Sequence, residues 1–163
     1  MVNLNKLLTR HHSVNLDNTA TQLYDQKTFY QAFIADLDRA KNEVIIESPF
    51  ITKRRLSLLM PVLKRLRQRD VKIIINTRHP LNGEDIYFNT ESIKSVTELQ
   101  SLGIRVLYTV GQHRKLALID RQILWEGSLN ILSYNDSCEI MRRINSRQIA
   151  NQTISFLGVA GYY

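Results

Sequence analysis

The chain has 163 residues, with 22 Lys and Arg against 15 Asp and Glu, a net charge of +7 and a 44% apolar share, the balance of one folded domain that can bury its own core. Six Gly and three Pro exclude a collagen-like or low-complexity chain, and no apolar run approaches the roughly 18 residues of a membrane span, so a soluble protein without a membrane partner is expected. The single cysteine, Cys138, excludes an intramolecular disulfide and a cysteine-built zinc site, and His11 and His12 have no partners at ligand spacing. No metal or other cofactor is expected, and the cytoplasm is the expected location, since the first 20 residues are polar where a signal peptide would be apolar.

Residues 1–20 lack periodicity and read as a loosely ordered N-terminal extension to a domain spanning 21–163. Residues 25–41 place Phe29, Phe33, Leu37 and Ala40 on one face of a helix, with Thr28 and Gln31 as a capping box and Asp25 as a competing cap. Residues 44–46 form a buried strand ending near Ser48. A second helix follows on Leu56, Leu59, Met60, Leu63 and Leu66, where Pro61 predicts a late start or a kink. Residues 71–75 are β-branched and read as a strand, and 78–85, with Pro80 and Gly83, as a loop. A third helix carries Ile93, Val96, Leu99 and Leu102 and closes on Gly103 as C-cap; residues 104–108 then form a strand. This alternation implies parallel strands with right-handed crossovers. Strands over 113–119 and 122–125, joined by Asp120 and Arg121, read as an antiparallel hairpin, and Ser146 caps a last helix. The expected fold class is α/β: a mixed, mostly parallel sheet flanked by helices, in one domain.

The positive charge is concentrated. Residues 53–72 hold Lys53, Arg54, Arg55, Lys64, Arg65, Arg67, Arg69 and Lys72 against Asp70 alone, and the rest of the chain sums to zero. A polyanion partner accounts for this, because clustered cations displace counterions from phosphates. A solvated helix face accounts for it equally well on charge alone.

The most specific stretch is His113, Lys115, Asp120, Gly127, Ser128 and Asn130. On a strand, His113 and Lys115 share a face, so an imidazole able to attack phosphorus or move a proton lies beside a fixed ammonium able to neutralise a phosphate oxygen. Asn130 adds an amide donor and Ser128 a hydroxyl. Gly127 is expected where backbone approaches the phosphate or bulges, without chemistry of its own.

These six positions resemble, in identity and spacing, the signature of the phospholipase D superfamily: His-x-Lys, four residues, Asp, six residues, Gly-Ser-x-Asn. A chance match has odds on the order of 10⁻⁸ per start position. The resemblance extends over residues 25–157 and includes the acidic Glu139. It implies a metal-free mechanism in which one histidine forms a phosphohistidine and a second protonates the leaving oxygen. His113 would be nucleophile or acid, Lys115 and Asn130 would bind phosphate, Ser128 would support them, and Glu139 would hold the other ring nitrogen of His113. Asp120 belongs to the signature, with a role that the resemblance makes mostly structural.

In-line displacement needs nucleophile and acid on opposite sides of phosphorus, and the chain has one motif, so the second His113 is expected from another copy in a two-fold homodimer, as in the short single-motif nucleases that the chain resembles in size. The location of charge favours nucleic acid, DNA before RNA, with Lys53, Arg54, Arg55, Arg65, Arg78 and His79 as binding residues. A metal-independent endonuclease is the first reading. A lipid or small-molecule phosphodiesterase and a nucleic-acid-binding module with little activity of its own remain alternatives. The likeness to nuclease domains of bacterial helicases and restriction enzymes makes such a system a candidate partner.

Overall fold

Strands that are apolar on both faces must be covered on both sides, and the sheet at the centre of this fold is sandwiched accordingly. The computed structural model describes residues 20–79, 86–133 and 137–158. Its elements are β1 (Ala20–Asp25), α1 (Phe29–Arg39), β2 (Glu43–Glu47), α2 (Lys53–Gln68), β3 (Lys72–Thr77), α3 (Ile86–Ser101), β4 (Arg105–Tyr108), β5 (Leu116–Ile119), β6 (Ile123–Gly127), β7 (Ile140–Asn145) and α4 (Arg147–Leu157). The strands form one mixed sheet in the order β1-β7-β6-β5-β2-β3-β4. As the alternation of elements predicts, β2, β3 and β4 are parallel. From β2 outward through β5, β6, β7 and β1 every pairing is antiparallel, so the sheet is mixed as expected but not mostly parallel: the added strands β7 and β1 extend its antiparallel side.

Side-chain alternation divides the core in two. Val44, Ile46, Ile73, Ile75, Ala117 and Trp125 face α1, α2 and α3. Ile45, Ile74, Leu118, Leu124 and Ile144 face Ala150 and Ile154 of α4. Trp125 has no exposure and is ringed by Tyr24, Phe29 and Phe33, with centroids 4.9, 5.2 and 6.0 Å away. Its indole N–H donates to buried Asp36 Oδ2 at 3.0 Å, and the same carboxylate takes Arg143 Nε at 2.6 Å and Nη2 at 3.0 Å.

The sequence reading departs from this structure in several places. β1 and β7 were not expected; Ala20 already pairs with Asn145, and residues 1–19 of the expected extension lie outside the described residues, as do 80–85 and 159–163. α1 starts at Phe29, because Asp25 Oδ1 accepts from the Lys27 and Thr28 N–H groups and the Thr28 hydroxyl. Those bonds engage the Thr28 hydroxyl, so Thr28 makes no side-chain cap. α2 starts at Lys53 and continues through Pro61. One lost helical hydrogen bond costs about 3 kcal/mol, whereas burying Leu56, Leu59, Met60, Val62, Leu63 and Leu66 returns about 1.5–3 kcal/mol each. Ile93 is exposed, while Val96 and Leu99 are buried. Ser146 caps α4 by accepting from Ile149, and Gly103, at φ +73°, closes α3.

Candidate active site

The carboxyl ends of parallel strands leave a rim of loops where α/β sheets bind ligands, and the signature converges there. β5 runs antiparallel to β2 with Leu116 opposite Glu47, so the residues ahead of β5 lie at the end of β2. His113 and Lys115 occupy this segment, ahead of the strand and not on it as expected. They meet because the lysine folds back: Nζ is 3.1 Å from His113 Nδ1 and donates to the His113 carbonyl at 3.0 Å. The ammonium can only donate, so in this contact Nδ1 accepts and a neutral ring carries its proton on Nε2, the form of a proton donor.

The segment is held by a buried carboxylate at the end of β2. Glu47 has no exposure; its Oε1 accepts from Asn76 Nδ2 at 3.1 Å, and its Oε2 from Gln112 Nε2 and from Arg114 Nε at 2.9 Å. Gln112 Oε1 accepts in turn from the Arg114 N–H at 2.8 Å, and Arg78 Nε donates to the Gln112 carbonyl at 2.7 Å. Both neighbours of His113 are therefore tied to β2. The sequence signal was an acid closing the apolar run Val44, Ile45, Ile46.

Gly127 ends β6, and its N–H donates to the Lys115 carbonyl at 3.2 Å. A Cβ here would lie inside contact distance of the Ile140 carbonyl oxygen and 2.9 Å from Met141 Cα, so the close approach that calls for glycine at 127 is to β7. Ser128 follows. Its hydroxyl donates to Glu139 Oε2 and accepts from the Ile140 N–H at 3.1 Å. Ser137 donates to the other oxygen of Glu139 at 2.6 Å, and the Glu139 N–H donates to Gln26 Oε1 at 3.0 Å. Glu139 is thus fixed by Ser128 and Ser137; among the described residues His113 makes no bond to it.

Asn130 lies in the loop docked on the starts of α1 and α2, where Leu132 N–H donates to Ser48 Oγ at 3.1 Å and Tyr30 OH to the Ile131 carbonyl at 3.0 Å. Its Oδ1 is buried without a partner among the described residues. Burial pushes the Tyr30 hydroxyl far above its ordinary value, and the Glu139 charge adds to this against the opposing Arg55, whose guanidinium stacks 3.6 Å from the Tyr30 centroid.

Asp120 is not part of this gathering. It sits at the other end of β5, in the tight turn where it and Arg121 have φ of +51° and +52°, and its carboxylate accepts the N–H groups of Lys41, Asn42 and Glu43 at 2.8, 2.7 and 3.0 Å. Lys53, Arg54 and Arg55 begin α2 at the site edge, and Arg78 and His79 follow β3 there. Arg65 is twelve residues along α2, about 18 Å away, and is bidentate with Asp38.

A mixed α/β sheet with this motif on its rim is an enzyme of the phospholipase D superfamily, a class of phosphodiesterases and nucleases. Residues 33–157 match the family model described as cardiolipin synthase, PLD-like domain, and the chain belongs to that family. In fold it is similar to Nuc from Salmonella typhimurium, a phospholipase D family member, at 18% identity over 85% of this chain and 91% of that one, with a TM-score of 0.69. It is also similar to NucT from Helicobacter pylori, at 17% identity, 85% and 92% coverage and a TM-score of 0.66. A polyphosphate kinase from Porphyromonas gingivalis shares the fold over 86% of this chain and 26% of its own, at 12% identity and a TM-score of 0.66. No curated protein matches the chain in sequence.

Proposed function

We propose that the chain is a metal-independent endonuclease that cleaves DNA through a phosphohistidine at a site shared by two copies. The observation that carries this reading is the His113–Lys115 contact, which sets an imidazole beside a fixed positive charge for the non-bridging oxygens of a phosphate. Asn130 supplies an amide to the same anion, and the Glu139–Ser128 pair ties the end of β6 to the start of β7. In the first step one His113, its ring proton at Nδ1 once Lys115 has turned to the phosphate, bonds to phosphorus through Nε2, the bond to the leaving sugar oxygen breaks, and that oxygen takes a proton from His113 of the second copy. In the second step water attacks the phosphohistidine, the P–N bond breaks, and the water proton passes to the imidazole that had given one up.

The second copy has a surface to cover. Leu23 and Ile140, 62% and 53% exposed, border a cleft of about 420 Å³ that Lys115 and Arg142 also line. The exposed Lys53 and Arg54 at the start of α2 suit a nucleic-acid backbone at the same rim. The test is cleavage of plasmid and single-stranded DNA in excess EDTA beside His113→Ala and Lys115→Ala. Cutting is expected to survive EDTA and to vanish in both variants, with a dimeric mass by sedimentation. A strict magnesium requirement or a fully active monomer refutes the reading, and hydrolysis of phosphatidylcholine vesicles without DNA cleavage replaces it with a lipid phosphodiesterase.

A further inference from the structure

Two aromatic rings stand exposed on the same rim, beyond the signature residues. Phe50 follows β2 and Tyr108 ends β4; they are 45% and 41% exposed, whereas Phe29, Phe33 and Trp125 are fully buried. Each is paired with a side chain from the end of β3. The Arg78 guanidinium lies over Phe50, 5.2 Å from its centroid, and the His79 ring is tilted against Tyr108 with centroids 4.8 Å apart. Backbone bonds set these pairs side by side: Arg78 N–H to the Pro49 carbonyl at 3.4 Å and Thr109 N–H to the Thr77 carbonyl at 3.0 Å. The row is continuous with the catalytic segment, because Arg78 Nε donates to the carbonyl of Gln112, the residue before His113.

The geometry points to a stacking platform for unpaired bases, on which Phe50 and Tyr108 receive successive bases of a single-stranded nucleic acid while Arg78 and His79 face its backbone. The inference rests on the nuclease reading and deepens it by naming the substrate form. Rings interleaved with cations suit a single strand, since its bases are open to π-faces and its phosphates to positive charge. A duplex keeps its bases stacked on each other and offers such a surface only its backbone. A lipid headgroup would use the cations and leave both rings without a role.

The experiment measures binding of a fluorescent thymidylate oligomer, an abasic oligomer of equal length and a duplex, with His113→Ala as background to stop turnover. Phe50→Ala and Tyr108→Ala are each expected to weaken the thymidylate complex roughly tenfold, the scale of one lost base stack, and to leave the abasic and duplex complexes within about twofold. Phe50→Trp is expected to keep the affinity and to lose indole fluorescence on adding the thymidylate but not the abasic oligomer. Equal losses on all three ligands, or none, would overturn the platform. Wild-type turnover of bis(p-nitrophenyl) phosphate separates the two readings. Base-dependent binding without any turnover defeats the nuclease reading and keeps the platform, whereas turnover with base-independent binding does the reverse.

Discussion

Replacing Glu47 by Gln probes how the fold holds the His113 segment. The substitution keeps the volume and, through the amide oxygen, the bond from Asn76, but sets an NH₂ group against Gln112 Nε2 and Arg114 Nε, both donors. Gln112 is 2% exposed, so its stranded amide costs about 1–3 kcal/mol. The Arg114 guanidinium is partly solvated and adds less. Relief of the buried carboxylate's desolvation offsets part of this, which leaves a net loss of about 2 kcal/mol. Because Gln112 and Arg114 flank His113, release of both displaces the imidazole, and a misplacement near 1 Å costs on the order of 100-fold in rate. The assay is a urea midpoint by circular dichroism beside kcat and KM for bis(p-nitrophenyl) phosphate. The expected result is a lower midpoint and a kcat down by roughly 100-fold with KM little changed. A lower midpoint with kcat held within about twofold would show that Glu47 supports the sheet alone and refute its part in positioning His113.

Asp120→Ala removes the acceptor of three backbone N–H groups and places alanine at φ +51°, for an expected loss of about 2–3 kcal/mol in urea unfolding, with less than half of that for Asp120→Asn. Where both variants are folded, their kcat should stay within about twofold of wild type; a larger fall returns Asp120 to the chemistry. Asp36→Ala leaves the Trp125 N–H and Arg143 without their acceptor and is expected to cost about 3–5 kcal/mol, seen as a melting point lower by roughly 10–15 °C. The Thr28 hydroxyl and the Thr28 and Lys27 N–H groups hold the Asp25 carboxyl below its ordinary 3.8. Its stabilisation is complete above that value and fades as pH falls through the lowered native one, so the melting point of Asp25→Asn should lie below wild type at neutral pH and converge with it in strong acid. A constant gap across that range counts against the assignment.

The legible parts were those where one physical signal dominated. Val44 to Ile46 and the β-branched run at 71–75 announce buried strands because both faces are apolar, and β2 and β3 occupy those places. β7 hid because Met141 and Ile144 point to opposite faces, and the inward position between them is Arg143, which the sequence shows as a charge and the fold neutralises with Asp36. β1 hid because it is an edge strand with a mostly exposed surface. At the candidate site, the motif spacing singles out His113, Lys115, Ser128 and Asn130, and the structure brings His113 and Lys115 into contact. The contacts of Glu47 with Gln112 and Arg114 were not legible, since they join residues far apart in the chain. Three of the eight cations of the basic segment proved to be mortar: Arg65 and Arg69 bind Asp38, and Arg67 binds the Leu102 and Val71 carbonyls.

The pairing of Ala20 with Asn145 and of Asp25 with Ile140 has a consequence for biosynthesis. β2, β3 and β4 can assemble as soon as Tyr108 has left the ribosome, while the oldest described strand must wait, unpaired, for nearly the whole polypeptide to emerge. Gln26, just beyond that strand, grips Glu139 only when the wait is over. The reactive rim is therefore among the last parts to be completed, and a nascent chain carries its histidine well before it can hold that histidine's surroundings in place.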